Sequence, residues 1–449
     1  MLWRAPWLRR RLILMGFATW DAVALFISYN LIYLTRLGRW EGVNLGLTVI
    51  TVTWLGFSYL LGRYSPTAPS DKNPTNTTLT KTLITGFAII ALFVGHSWIY
   101  QIVDAETRFR GFLAPLVASS CFLSTLGQSV LSGLSHRSRE WILIGNSSEI
   151  ETIRRELSGE KQDVRSRISF ATGKQLTKRI GCDEGGKVGI GVGTLESYSD
   201  ARAEYLLRLR EKGERVIPLL SWCELELQRI PPELIHIEWM IQAEGFGLRP
   251  GSMSWRIKRL GDVVAASALI AITIPILAVV AALIWMEDKG PVFYRQIRSG
   301  LYGKPIRIWK LRSMRVNAEK DGAQWASKGD ARITRVGRLI RATRIDELPQ
   351  LIAVVNGDMS LIGPRPERPE IEEILEKEIP NYRLRHWIRP GLSGWSQVCH
   401  PYGASIEDSR KKLSYDLYYM RNAGFALDLL IFLKTIKLVS NASGATPSS

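Results

Sequence analysis

From Val263 to Met286 the chain reads "VVAASALIAITIPILAVVAALIWM", with no charged residue in the run. A helix rises about 1.5 Å per residue and a bilayer offers roughly 30 Å of hydrocarbon, so this stretch is long enough to span one. Both flanks are basic: Arg256, Lys258 and Arg259 precede it, and Arg295 and Arg298 follow it. A straight crossing would leave one of these clusters outside, against the tendency of cationic segments to stay in the cytoplasm. Pro275 sits near the middle. It lacks the N–H that would bond to Ala271 and its ring crowds that carbonyl, so a kink is expected. A helix bent at mid-depth can enter and leave by one face if the freed carbonyl finds a partner, for which Thr273 is the candidate. Charge therefore favours re-entry hinged at Pro275 over a straight fifth span.

Four further apolar stretches precede it, Leu12–Leu34, Val43–Leu61, Leu83–Ile102 and Gly111–Leu134. Each is near the ~20 residues that a spanning helix needs. No small-residue cleavage site follows the first, which argues for a span over a secretory signal. "WRAPWLRRR" before the first span and "SHRSRE" after the fourth fall on the same side of an even number of crossings, although "RLGRWEG" leaves Arg36 and Arg39 outside. Asp21, inside the first stretch, marks either a polar pathway or an acid that reaches the water interface from a helix end. The formal net charge of +17 combines with 46% hydrophobic residues and 15 Trp. That combination fits a protein facing an anionic leaflet better than a nucleic-acid binder. The four cysteines and five histidines are scattered, with no CxxC pair and no zinc spacing.

The middle of the chain reads as soluble α/β. "WILIGNSSEIETIRREL" from Trp141 is a buried strand, a Gly turn and an amphipathic helix capped by Asn146 or Ser148. "KVGIGVG", a helix from "SDARAEYLLRLREKG" and the strand "RVIPLL" ending at Leu220 make a second unit, which implies a small parallel sheet. Gly145 stands alone, and Gly189, Gly191 and Gly193 are not followed by a helix at the dinucleotide spacing. A regulatory or scaffolding domain without cofactor is the expected reading.

The last third carries the chemistry. "GPVFYRQIRSGLYGKPIRIWKLRSM" at Gly290–Met314 is followed by "RIDELPQLIAVVNGDMSLIGPRPE", "RPGLSGWSQV" at Arg389–Val398 and "YDLYYMRNAGFALDLLIFLKTI". The acid pair Asp346 and Glu347 would by itself be a solvated helix face. With these motifs in this order, the segment from Ser254 to Val439 resembles the bacterial polyprenyl-phosphate hexose-1-phosphate transferases, the monotopic phosphoglycosyl transferases. The spans and the α/β segment resemble the large form of that family.

The resemblance implies a multidomain membrane protein. Residues 1–136 would be a four-helix transmembrane bundle, and 137–250 a small α/β Rossmann-like domain. Residues 251–449 would be a mostly helical catalytic domain with a re-entrant membrane helix. It also implies transfer of hexose-1-phosphate from a UDP-hexose to undecaprenyl phosphate with release of UMP, starting an exopolysaccharide or O-antigen type glycan. The location implied is the bacterial inner membrane, multi-pass, with the catalytic domain on the cytoplasmic face. Membrane lipid is then a partner, nucleic acid is not, and a homodimer is compatible. By resemblance Asp346 attacks the sugar-bearing phosphorus to form an aspartyl phosphosugar, and Glu347 is the second catalytic acid. Both are candidate ligands of Mg²⁺, which takes one or two carboxylates plus substrate phosphates. Arg365, Lys310, Arg312 and Arg344 are the candidate phosphate-binding residues. Arg365 stands first because Pro364 and Pro366 restrict the backbone that presents it. Arg338 and Arg341 divide between phosphate and a basic helix resting on anionic lipid, and Gln397 is a candidate nucleotide contact. One departure is Ile274-Pro275, where the family commonly has Ser-Pro. The rival readings are a glycosyltransferase that releases UDP and a non-catalytic organiser of glycan export.

Overall fold

The computed structural model describes residues 12–61, 63–64, 82–88, 112–135, 140–158, 168–171, 189–193, 200–212, 214–236, 240, 251–316, 318, 330, 332–400 and 405–440. The chain forms two compact units, Met1–Arg139 and Glu140–Ser449.

In the first unit, helices α1 (Leu12–Leu37), α2 (Leu45–Leu60) and α3 (Ala114–Ser135) follow three of the four apolar stretches. The remaining one, Leu83–Ile102, lies largely outside the described residues. Asn44 accepts from the Leu47 N–H and so caps α2. Leu25, Tyr29, Tyr33, Leu47, Trp54, Phe112 and Leu116 form the core between the helices. Asp21 does not reach the water interface as a helix-end acid would. It is 1% exposed and pairs with Arg63 at 3.2 Å. The Tyr64 hydroxyl at 2.7 Å and Trp54 Nε1 at 3.2 Å also donate to it, as does Ser124 on α3. A buried carboxylate is tolerated only when paired and hydrogen-bonded, and this one joins all three helices. Replacing Asp21 with Leu strands the Arg63 guanidinium. Melting of the full chain in detergent should show a loss of about 3–5 kcal/mol, which an Asp21→Leu/Arg63→Met double variant largely restores.

The second unit opens with a four-stranded parallel sheet. Its strands are β1 (Trp141–Ile144), β2 (Ile168–Ala171), β3 (Gly189–Val192) and β4 (Arg215–Pro218), in the order β2-β1-β3-β4. Helix α4 (Ser147–Leu157) follows β1 and α5 (Asp200–Glu211) precedes β4. β4 ends at Pro218, two residues before the expected Leu220. Pro218 has no N–H for a ladder, and Leu219–Trp222 turn helical behind it. Asn146 caps α4 in a capping box with Glu149.

α6 (Met253–Asp288) then runs for 36 residues, with its helical assignment unbroken at Pro275. Proline deletes only the bond to Ala271, and the bonds on either side keep the helix going. Thr273 does not satisfy that freed carbonyl. Its hydroxyl donates to Leu269 O at 2.7 Å and lies 3.4 Å from Ile270 O. Two described helices, Met15–Leu37 and Met253–Asp288, are long and apolar enough to cross a membrane, and Leu45–Leu60 is a shorter apolar helix.

α6 buries a narrow stripe. Ala266, with half-buried Leu269 and Ile270, joins Ile308, Leu351, Val354 and Met359. Farther along, Val280 and Ile284, with Leu277, join Leu311 and Ile340. These positions recur at helical spacing, so one face is held along its length by the C-terminal part of the chain. The other faces are bare and apolar, with Ile272 at 69% and Met286 at 64% exposure.

After α6 come the hairpin β5 (Phe293–Ser299) and β6 (Pro305–Leu311), then α7 (Arg335–Ala342) and a 3₁₀ turn, Ile345–Gln350. α8 (Leu351–Asn356) leads to β7 (Ser360–Ile362), which pairs in parallel with β8 (Gly391–Ser393). α9 (Pro369–Glu378) lies between these strands, and α10 (Trp395–Cys399), α11 (Ile406–Asn422) and α12 (Phe425–Ser440) finish the chain. A buried charge cluster joins the α/β segment to this part: Glu156 of α4 pairs with Arg229 and with Arg410 of α11.

Candidate functional site

Arg344 takes the left-handed conformation at φ 60°, ending α7 and starting the 3₁₀ turn that carries the acid pair. With three residues per turn, neighbours on such a helix diverge by about 120°, so Asp346 and Glu347 face different surroundings although both are under 10% exposed.

Glu347 faces cations. Arg365 donates to both its oxygens, one bond being very short and the other 3.3 Å. Lys310 of β6 lies at 3.7 Å and Arg344 at 3.5 Å. Burial alone would raise Glu347, but Arg365, Lys310 and Arg344 hold it well below the usual carboxylate range. Asp346 is different. Its Oδ1 is buried without a hydrogen-bond partner among the described residues. Burial, and then the adjacent Glu347 charge, push it up to about 6, against Lys310, Arg341 and Arg344. Burial also lowers Lys310 to about 8, aided by Arg365 and Arg298 and opposed by Glu347. One carboxylate is thus locked by cations, while the other keeps a buried oxygen without a partner among the described residues.

Four of the sequence-predicted residues come together here besides the two acids' own turn: Arg365, Lys310, Arg344 and, through its charge on Asp346, Arg341. Arg312 does not join them. It pairs with Asp288 at the end of α6, because its backbone N–H is tied to Val292 O just past the strand end. Arg338 is on the exposed side of α7. Gln397 of α10 donates to Leu392 O of β8 at 3.4 Å, and its Oε1 is buried without a partner among the described residues. Pro275 lies in the membrane-type helix, outside the acid cluster. Among the described residues no three His, Cys, Asp or Glu side chains group as a metal site.

α7 is set against the cluster by two contacts that sequence reasoning missed. Glu287 of α6 accepts from the Arg335 N–H at 2.8 Å, which places a carboxylate at the helix N-terminus. Gly337 meets the chain after β6 so closely that a Cβ there would lie 2.0 Å from Ser313 O. In a free helix Gly→Ala gains up to about 1 kcal/mol. Here the clash with fixed backbone outweighs that, so Gly337→Ala should lower the melting stability by about 1–3 kcal/mol.

The Pro364–Pro366 segment that presents Arg365 is also held by side chains the sequence did not single out. Arg385 donates to Arg365 O at 2.8 Å and pairs with buried Asp416 at 3.0 Å. Ser396 donates to the other Asp416 oxygen at 2.7 Å. Arg298 of β5 donates to Pro366 O at 3.2 Å and lies 3.6 Å from Glu367. Arg298, read from the sequence only as a basic flank of the apolar run, lies on the same face of the hairpin as Lys310. Arg385 and Asp416 are 31 residues apart, and no spacing rule joins them.

The glycines of the α/β sheet have another occupant. Glu149 Oε2 accepts from the Asn146 N–H at 2.8 Å, and a Cβ on Gly193 or Gly145 would strike that oxygen at 2.1 or 2.7 Å. A carboxylate therefore fills the space beside the strand ends and the α4 N-terminus, where a doubly wound sheet would take a phosphate.

A family model described as bacterial sugar transferase matches residues 253–442. The chain is 47% identical over 198 residues to the UDP-N-acetylgalactosamine-undecaprenyl-phosphate N-acetylgalactosaminephosphotransferase of Aeromonas hydrophila, covering 44% of this chain and 47% of that protein. It is 41% identical over 189 residues to the UDP-glucose:undecaprenyl-phosphate glucose-1-phosphate transferase of Klebsiella pneumoniae, covering 41% of each. In both, the chain spans less than half of the relative's length. The enzyme of the same name from Caulobacter vibrioides is 42% identical over 196 residues, which cover 42% of this chain and 73% of the relative.

Proposed function

The chain belongs to the bacterial sugar transferase family, and we propose that it transfers a hexose-1-phosphate from a UDP-sugar to undecaprenyl phosphate, releasing UMP, to start a lipid-linked glycan. The relatives' names supply the donor and acceptor classes. The observation that carries the chemistry is the buried Asp346, whose Oδ1 has no partner among the described residues, beside Lys310, Arg341, Arg344 and the Arg365-locked Glu347.

Asp346 Oδ1 attacks the sugar-bearing phosphorus, and the bond from that phosphorus to the bridging oxygen breaks. UMP leaves with the electron pair. An oxygen of the lipid phosphate then attacks the same phosphorus and returns Asp346 as a carboxylate. Splitting the transfer in two lets each phosphate meet the protein rather than the other phosphate. Arg365, Lys310 and Arg344 neutralise the incoming charge, and Arg365 suits a bidentate grip on phosphate. The donor set fits a Mg²⁺ held largely by substrate: the Asp346 carboxylate would be one ligand, whereas Glu347 would ligate only after Arg365 turns to phosphate. When bound, such an ion would offset phosphate charge.

The membrane setting rests on the long apolar α6 and on the family. A bend at Pro275 would let α6 enter and leave by one face, here taken as cytoplasmic, and the packing of one stripe of α6 against a single body supports that reading. The first unit adds the further spans of a multi-pass inner-membrane protein.

The product nucleotide tests this reading. Membranes bearing the protein, given undecaprenyl phosphate and UDP-glucose, UDP-galactose or UDP-N-acetylgalactosamine, should release UMP with at least one donor. UDP as product would assign a glycosyltransferase instead.

The pH profile has a direction at each limb. Asp346 must be ionised to attack, so the rate falls as pH drops through about 6. Lys310 must be protonated to hold phosphate, so the rate falls again as pH rises through about 8. kcat/KM measured across pH 5–9 should be bell-shaped, and Lys310→Arg should remove the alkaline limb.

A further inference from the structure

The β5–β6 hairpin has two unlike faces. In its antiparallel register, paired residues share a face. Tyr294, Gln296 and Arg298 face Lys310, Ile308 and Ile306 on one side, and that side adjoins the acid pair through Lys310. The other side pairs Phe293 with Leu311, Arg295 with Trp309, Ile297 with Arg307 and Ser299 with Pro305. Leu311 and Ser299 at the ends are buried, but the middle is open. Phe293 is 51% exposed, Ile297 53% and Trp309 42%. The rings of Phe293 and Trp309 meet edge to face at 6.4 Å centroid separation. Arg295 lies over Trp309 at 5.7 Å. The open part of this face carries three large apolar side chains, Phe293, Ile297 and Trp309, and two arginines, and the face has no carboxylate.

It is also continuous with the apolar helix. α6 ends at Asp288 and β5 begins at Phe293. Near that junction Trp285 and Met286 are exposed, and the Lys289 ammonium sits over Trp285 at 3.8 Å. Leu311, at the inner end of the open face, shares a core cluster with Val280 and Ile284 of α6. Aromatic rings beside cations, at the end of a membrane helix, are the composition of a bilayer interface.

We propose that this open hairpin face, Phe293, Arg295, Ile297, Arg307 and Trp309, docks on the headgroup layer of an anionic bilayer. The aromatic and Ile side chains enter the acyl boundary, and the two arginines meet lipid phosphate. Acid-free charge and continuity with α6 select lipid as the occupant over a second copy of the chain. The opposite face then holds Lys310 at a fixed height above the membrane, whatever sugar is transferred.

The test is a depth measurement on the full chain in nanodiscs of phosphatidylcholine and phosphatidylglycerol. With Cys182 and Cys399 replaced by Ser, a nitroxide is placed by Ile297→Cys, and at exposed Glu378 on α9 by Glu378→Cys as the aqueous reference. The label at 297 should relax with oxygen dissolved in lipid and be shielded from an aqueous nickel complex, with the reverse at 378. Equal nickel access at both positions overturns the proposal. So does shielding at 297 with dipolar broadening between labels, which would show a second copy on this face. Adding Arg295→Glu and Arg307→Glu should raise nickel access at 297, and an unchanged depth would remove the role given to the arginines.

Discussion

Asp346→Asn should cut UMP release by on the order of 10³-fold or more while leaving the folded protein as stable as before or slightly more so. The two expectations have one origin. The carboxylate is held in a buried position that disfavours its charge and pushes it up to about 6, so a neutral amide of the same shape relieves a cost rather than breaking a bond. The amide oxygen, however, cannot serve as the attacking group. Glu347→Gln should behave in the opposite way on stability. Glu347 is the shared partner of Arg365, Lys310 and Arg344, and neutralising it leaves three cations facing one another. Thermal melts of both variants in detergent, alongside UMP release, separate a nucleophile from a charge anchor. A destabilised Asp346→Asn with near-normal turnover would reverse the assignment.

Arg385→Leu is the second large effect. Asp416 is 1% exposed and would lose the one guanidinium that pairs with it among the described residues, so the C-terminal unit should lose about 3–5 kcal/mol. Asp416→Leu/Arg385→Leu should recover most of that, since a buried pair replaced by apolar residues is often near neutral. Activity should not recover with it. The double variant still lacks the donor to Arg365 O, so the Pro364–Pro366 segment is freed and KM for the UDP-sugar rises. Recovery of stability and KM together would mean that Arg385 serves folding alone.

Much of the architecture was legible because it rests on local rules. The apolar runs at Leu12, Val43 and Gly111 and the long run before Met286 became helices. The Asn146 cap and the parallel strands at Trp141 and Gly189 followed from turn chemistry and short apolar runs. The acid pair and Arg365 were readable through long motifs. What stayed hidden depends on contacts distant in sequence. Asp21 could not be placed until Arg63 and Ser124 were seen around it. Lys310 and Arg312 read as one basic motif, yet the strand ends between them and Arg312 turns to Asp288. The hydroxyl of Thr273 was expected at the carbonyl freed by Pro275, but a helical threonine reaches its own i−4 carbonyl, Leu269, more readily. Glu149 filling the glycine-lined crevice of the sheet left no trace in spacing, because the glycines at 145 and 193 come from different strands.

The most direct measurement leaves the acceptor out. Purified protein is incubated with the UDP-sugar that supports turnover, without undecaprenyl phosphate, and then quenched and digested for mass spectrometry. The account predicts a burst of UMP no larger than the amount of enzyme, and a peptide containing Asp346 heavier by the sugar phosphate of that donor. Adding undecaprenyl phosphate before the quench should discharge that adduct. UMP formed only when the lipid is present, with Asp346 unmodified throughout, would contradict the account.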